Sequence, residues 1–509
     1  MTPNGSPRQP VRPRPRLELV WPGKDQFLLT PSDDNGKPVW VEPDHPAAHE
    51  VRISDLTGAY GAVNDTDPYA DSLLFIGDGL DVLRILTEVP EYRRHYRGKV
   101  KLIYIDPPFN TGQTFTHYDD WMEHSTWLSF MRDRLILAKE LLAPDGSIWV
   151  HLDERESHRM RCLMDEVFGS AAYVGTVLWR KKYKAGNSLG LSTVHNPILV
   201  YGRQSRWRRS NGLPPGAAQM EKYKNPDDDP RGRWRMTHAG DKTYLVDLLN
   251  KGAMPTTWWD YDDSGHTETG TNESEALFGE AFSTPKPERL MERVIHVATN
   301  PGDTVIDVFG GSGTTAAVAH KMGRRWVTAE ILPDTVAQFT EPRLRMVVDG
   351  EHGGISERVG WSGGGGFRTV TVGPSMYEAT PYGVMLAGWA TNGRFARAVA
   401  GQLGFTFQSD AAPFCGQRGR MRLAVLDGAV GPEEVREIVG ALGERERVTI
   451  VAKVVLPDAE QVLKRLSAGS VIRKAPRDVL EARRRRRRTT VPADTVEQRA
   501  ADLSGGEQQ

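Results

Sequence analysis

Two parts of the chain alternate short apolar runs with stretches of helical spacing. In the first, Leu73-Leu74-Phe75-Ile76 predicts a buried strand ending at Gly77-Asp78, and Leu80 to Leu86 has the spacing of a helix. Lys101-Leu102-Ile103-Tyr104-Ile105 predicts a second strand, ending at Asp106-Pro107-Pro108-Phe109. Trp127 to Leu142 is helical in spacing and stops at the turn signal Pro144-Asp145-Gly146, ahead of a third strand, Ser147 to Val150. The pattern resumes near Pro285 with a helix from Glu288 to Ala298 and a strand from Thr304 to Asp307. A glycine-rich turn, a helix from Thr315 to Met322 and a strand from Trp326 to Glu330 follow. Strands alternating with helices predict an α/β fold with a doubly wound, parallel sheet.

Between these parts, residues 180–280 are polar, rich in Trp and Arg, and weakly periodic. Beyond the Gly363 to Gly366 link, strands near 369–372, 422–426 and 448–454 and helices near 392–403, 432–442 and 458–466 predict a small α/β unit. Residues 17–70 carry only scattered apolar stretches. The Pro-rich start, Met1 to Arg16, and the tail containing Arg483 to Arg488 lack core-forming residues.

At 509 residues the chain has length for roughly three domains. Its formal net charge of -1 gives no hint of a nucleic-acid partner, so any such hint must be local. Cys162 and Cys415 are far apart and lack metal-ligand spacing, which suggests buried thiols in a reducing cytosol and no metal site. No apolar run approaches the ~18 residues of a membrane span, and no hydrophobic stretch follows the basic start. A cytoplasmic location is expected.

The glycine-rich turn is Asp307-Val308-Phe309-Gly310-Gly311-Ser312-Gly313-Thr314-Thr315. Glycines let a backbone approach a ligand closely, and the next helix offers main-chain N–H groups. Glu330 ends the next strand 23 positions after Asp307, a spacing that suits a carboxylate on ribose hydroxyls. A turn without ligand and a dinucleotide enzyme both stay open on this stretch alone. In Asp106-Pro107-Pro108-Phe109, the prolines stiffen the chain and remove two N–H donors. The Asp106 carboxylate and the Pro107 carbonyl remain as acceptors that can hold the two N–H bonds of a planar amine, and Phe109 offers a flat face for a base. A proline-stiffened turn with a buried Phe is the plainer alternative.

Together, and in this order, the two motifs resemble the signature of β-class DNA amino-methyltransferases. Phe282 to Pro287 is similar to the stretch that cradles the methionine part of S-adenosyl-L-methionine (AdoMet) in that family. Ile76-Gly77-Asp78 is similar to the stretch whose acid approaches the AdoMet adenine. Leu17 to Lys24, Trp127 to Asp153 and Gly365 to Arg368 resemble the modification subunits of type III restriction–modification systems. The family's usual aromatic is Tyr, where this chain has Phe109, and Asp106 favours adenine over the cytosine of N4-methylating relatives.

The resemblance implies an AdoMet-dependent, Rossmann-like methyltransferase acting on adenine N6 in duplex DNA, in restriction–modification or phage defence. It implies a catalytic set of Asp106, Pro107, Pro108 and Phe109. The implied cofactor set is Asp78, Thr284, Lys286, Asp307, Phe309, Gly310, Gly311, Ser312, Gly313, Thr314 and Glu330. The corresponding division is a disordered tail (1–16), an N-terminal segment (17–70), a catalytic half (71–179), a target-recognition region (180–280), an AdoMet half (281–350), a linker (351–366), a C-terminal domain for docking or clamping DNA (367–480) and an Arg-rich tail (481–509). A homodimer and a helicase–nuclease or other defence subunit are the expected protein partners.

Residues 180–235 hold thirteen basic side chains against four acids, interleaved with Tyr183, Trp207 and Trp234. An excess of about nine charges suits a grip on phosphates. Arg180, Lys181, Lys182, Lys184, Arg206, Arg208, Arg233 and Arg235 are the candidate DNA contacts, against a solvated basic loop. His195 is a weaker candidate for the base pocket, and Trp258 and Trp259 read as packing. Three other readings stay open: an N4-cytosine enzyme, a DNA-specificity subunit of a defence complex, and a methylase of protein glutamine. The last normally begins its motif with Asn and places its glycine turn first.

Overall fold

The computed structural model describes residues 18–480 except 30–38, 44, 111–112, 115–118, 121, 184–190, 206, 226–229, 281 and 381–382. Both predicted tails, 1–16 and 481–509, and the candidate contacts Lys184 and Arg206 therefore lie outside the described residues.

The strands of the central sheet, in chain order, are β1 (Ser54–Gly61), β2 (Ser72–Ile76), β3 (Val100–Ile105), β4 (Leu142–His151), β5 (Tyr173–Arg180), β6 (His195–Gly202), β7 (Trp258–Trp259), β8 (Thr304–Asp307), β9 (Arg325–Glu330) and β10 (Gly366–Val372). Their order across the sheet is β7-β5-β6-β4-β3-β8-β9-β2-β10-β1. The block from β4 to β10 is parallel, and β6 and β1 flank it antiparallel.

Side chains alternate between faces along each strand, so each buried strand feeds two cores. Leu73, Phe75, Ile103, Ile105, Ile148 and Ile306 join one apolar cluster. Leu74, Leu102, Tyr104, Trp149 and Val305 join the other. Helices α1 (Gly79–Glu88), α2 (His124–Leu141) and α3 (Glu154–Phe168) cover the first face. Helices α4 (Glu288–Ala298) and α5 (Thr314–Lys321) cover the second. Near-continuous apolar strands are what burial on both faces requires. Asp153 caps α3 by accepting from the Arg155 N–H at 2.8 Å.

The weakly patterned start of the chain is part of this body. The Trp21 indole donates to Ser129 Oγ on α2 at 2.8 Å, and β1 supplies an edge of the sheet. The strand expected near 369–372 forms as part of β10, but it pairs with β2 and β1 in the central sheet rather than opening the smaller unit.

That unit has its own sheet of β11 (Thr406–Phe407), β12 (Gly416–Arg418), β13 (Met421–Val430), β14 (Arg447–Val455) and β15 (Val471–Lys474), in that spatial order. Helices α6 (Asn392–Leu403), α7 (Pro432–Gly440) and α8 (Ala459–Leu466) pack with it. It meets the central body through α6: Arg397 donates to Asp55 Oδ1 at 2.6 Å, and Gln402 Oε1 accepts from the Val51 N–H at 2.7 Å. Among the described residues, no helix is long and apolar enough to cross a membrane.

Candidate functional site

Strands β3, β8, β9 and β2 are neighbours and parallel, with Ile103 opposite Ile306 and Glu330 opposite Ile76. Their carboxyl ends therefore share one edge of the sheet. The proline corner follows β3, the glycine turn follows β8, Glu330 ends β9, and Asp78 lies two residues past β2. Residues from 78 to 330 are thus brought onto one rim, where open α/β sheets form their ligand crevice.

The glycine turn is held from within. Asp307 is buried, and its carboxylate accepts from the Phe309 N–H at 3.0 Å and the Thr315 hydroxyl at 2.6 Å. Burial pushes its carboxyl up to about 7, despite those two donors; the charges of Asp106 and Glu330 push the same way. Glu330 accepts from the Gly311 N–H at 2.9 Å and the Leu332 N–H at 3.0 Å, and burial raises its pKa above the ordinary value. A Cβ on Gly310 would stand 2.7 Å from Thr328 Oγ1, and Gly313 has φ +78, so both positions require glycine.

Beneath the turn lies a buried ionic cluster. Glu288, on the first turn of α4, pairs with Lys321 at 2.7 Å and Arg343 at 2.8 Å. Arg343 also donates to Thr314 Oγ1 at 2.8 Å, while the Ser312 and Thr314 hydroxyls lie 3.1 Å apart. Two of the predicted cofactor side chains, Ser312 and Thr314, thus face into the protein at the start of α5. Phe309 is half-buried beside Phe130, with ring centroids 6.0 Å apart.

Asp78 is the N-cap of α1, accepting from the Leu80 N–H at 2.7 Å, and pairs with Arg134 of α2 at 2.7 Å. Thr284 is exposed with φ +58. Lys286 crosses to the proline corner: its ammonium pairs with the Asp106 carboxylate and lies 5.3 Å from the Phe109 ring centroid. The segment predicted to cradle methionine is therefore in direct contact with the segment predicted to hold the base.

At that corner Pro107 is buried, and the Pro108 carbonyl accepts from the Trp127 indole at 2.8 Å. Asn110 has φ +60, a conformation Asn tolerates better than most residues. Its amide oxygen accepts from the Met122 N–H at 2.7 Å, and its amide nitrogen donates to the fully buried Glu156 at 2.8 Å.

The sequence reading missed His151, the last residue of β4. Its ring lies against Phe109, with centroids 5.9 Å apart and planes at 26°. It bonds Tyr104 Oη at 2.8 Å and the Asn196 side chain at 3.2 Å. Burial, with the charges of Lys286 and Lys181, holds its pKa well below the usual histidine value. The available signal was positional: like Asp106, it is a polar residue ending an apolar strand.

Of the candidate DNA contacts, Lys182, Arg208 and Arg233 are exposed. Others already have partners within the chain: Arg180 lies near Asp260 at 3.3 Å and 4.7 Å from the Tyr261 ring, and Arg235 is 5.2 Å from the Tyr223 ring. Lys181 donates to Asn196 Oδ1 at 2.6 Å. His195 lies 2.9 Å from a Glu154 oxygen. Trp259 is buried in the edge strand β7, and Trp258 is partly exposed beside it.

Residues 100–341 match the family model described as DNA methylase. This span carries the chain's likeness to DNA methylases. The chain is 28% identical over 416 residues to the "Probable type III restriction-modification enzyme HindVI Mod subunit" of Haemophilus influenzae, covering 60% of this chain and 54% of that protein. It is 29% identical over 336 residues to the type III restriction-modification enzyme StyLTI Mod subunit of Salmonella typhimurium, covering 48% and 49%. The chain thus spans about half the length of these curated relatives. Among solved structures, PvuII DNA methyltransferase (cytosine-N4-specific) aligns with 57% of this chain and 90% of its own at 18% identity and a TM-score of 0.37, too distant to bear on the target base. The matched span takes in the proline corner, the basic stretch, the glycine turn and Glu330; Asp78 and the C-terminal unit fall outside it.

Proposed function

We propose that the chain is an AdoMet-dependent DNA methyltransferase that places a methyl group on N6 of an adenine swung out of duplex DNA. Its proposed setting is the modification arm of a restriction–modification or phage-defence system, like those named for its relatives. The observation that carries this reading is the parallel pairing of β3 with β8, which sets the proline corner beside the glycine turn.

The rim suits AdoMet by its donor set and shape: a close-approach glycine turn, a carboxylate at Glu330, the ring of Phe309 and the ammonium of Lys286. These residues, with Asp78, would hold it. When bound, AdoMet supplies an electrophilic methyl group on a sulfonium. The chain's part is to orient the nucleophile. Asp106 and the Pro107 carbonyl accept the two N–H bonds of the adenine amine, which turns the nitrogen lone pair out of the ring's conjugation. Phe109, backed by His151, presents a face for the base. Lys286 now pairs with Asp106, so the amine takes over a carboxylate already matched to a cation. Lys182, Arg208 and Arg233 are the exposed cations best placed to contact phosphates. A second copy of the chain and a helicase–nuclease subunit remain the proposed protein partners.

Asp106→Ala tests the reading. Methylation of duplex DNA by the purified chain should fall by about a thousandfold or more, the scale of losing a preorganised acceptor. AdoMet binding by calorimetry should stay within about threefold. Undiminished N6-methyladenine formation by this variant would discard the assignment.

A further inference from the structure

Lys181 sits among the candidate phosphate contacts, yet its ammonium is turned inward. It is partly buried, and burial lowers its pKa. Its N–H donates to the Val194 carbonyl at 2.9 Å, and its own carbonyl accepts from the Thr267 N–H at 3.0 Å. Its Nζ donates to Asn196 Oδ1 at 2.6 Å. Beyond Asn196 stand His151 and Tyr104, and against His151 lies Phe109.

The direction of every bond in this row follows from its first member. An ammonium only donates. Asn196 Oδ1 must therefore accept from it, which turns the amide Nδ2 toward His151. That nitrogen only donates, so His151 Nε2 must present a lone pair. A neutral imidazole then carries its proton on Nδ1 and donates it to Tyr104 Oη. The ring that supports Phe109 is also fixed on its edge by Trp179, with centroids 5.3 Å apart and planes at 81°.

We infer that Lys181 is a positioning residue for the target base, acting through Asn196 and His151 on the plane of Phe109. Without the ammonium, the Asn196 amide can rotate, the imidazole can move its proton to Nε2, and the row can run in either direction. The ring behind Phe109 then has two hydrogen-bonded arrangements instead of one. The inference rests on the proposal that Phe109 receives the flipped adenine.

The test compares Lys181→Met and Lys181→Arg with the wild-type full-length chain. Met keeps length and apolar stem but cannot donate; Arg remains donor-only. With saturating AdoMet, Lys181→Met should lose about tenfold or more in kcat while KM for DNA stays within about twofold, and Lys181→Arg should recover most of the loss. Nitrogen-15 spectra of labelled histidine, with the His151 signal identified by its absence in His151→Gln, should show one Nδ1–H tautomer in wild type and a mixture in Lys181→Met. If Lys181→Met instead raises KM with kcat unchanged, and lowers the salt dependence of DNA binding by about one ion, Lys181 is a phosphate contact and the inference falls. An unchanged His151 tautomer also overturns it, whatever the chain methylates. Failure of the methylation reading itself is recognised separately, by Asp106→Ala retaining wild-type turnover.

Discussion

Glu330 spends both carboxylate oxygens on main-chain amides, those of Gly311 and Leu332. It therefore shapes the glycine turn, in addition to the proposed role of accepting from a ribose. Glu330→Ala should weaken AdoMet binding by about tenfold or more, since an amide would be left unpaired beside the ligand. Calorimetry returning wild-type affinity would remove Glu330 from the cofactor site. Asp307 offers a pH-linked test. An acid whose folded pKa lies above its unfolded one lends stability that is complete at low pH and is lost as pH rises through the folded value. Its folded value is about 7, against an unfolded value of about 4. Wild type should therefore lose stability across that window through this group. Asp307→Asn keeps an acceptor and lacks the slope. The Tm difference between the two should shift toward the variant from about pH 5 to about pH 8. Glu273, also near 7, is common to both and cancels in the comparison.

At the level of elements, the turn depends on what α4 and α5 bury beneath it. Arg343 is the cation that links Glu288 to Thr314. Arg343→Met should cost about 3–5 kcal/mol in chemical denaturation, because one partner of a buried pair is removed and the other left behind. A loss below about 1 kcal/mol would mean that Lys321 alone satisfies Glu288. These elements differ in how plainly the sequence announced them. The runs 73–76, 102–105 and 305–306 are apolar without alternation because both faces are covered, and the polar residues just past them mark the rim directly. The proline corner and the glycine turn could be read for the same reason: each chemistry sits in one contiguous stretch. β1 was not legible, since its middle residues face solvent. Nor was the role of β10, whose partner β2 lies nearly 300 residues earlier. His151, Asn196 and Lys181 became a unit only through the pairing of β4, β6 and β5.

Across the whole molecule, the boundary between the central body and the C-terminal unit falls after β10. A chain ending at residue 365 would lose the strand between β2 and β1, leaving β1 without its ladder partner and β2 with an open edge. A chain ending at residue 373 would keep both ladders. The shorter chain should be recovered mainly as aggregate, and the longer one should retain a cooperative unfolding transition; equal solubility of the two would argue that β1 and β10 are dispensable.

The stretch 203–257 leaves the sheet after β6 and rejoins it at β7, so both of its ends are clamped in the frame. A graft confined to those residues would replace the part that departs from the frame while leaving the Lys181–His151 row and every rim residue in place. A graft cut at 180 and 280 would tear out β6 and β7 together with Asn196. Recombination between this chain and its relatives, in nature or at the bench, should accordingly favour crossovers at the inner margins of these two strands, where a foreign segment inherits a ready-made socket.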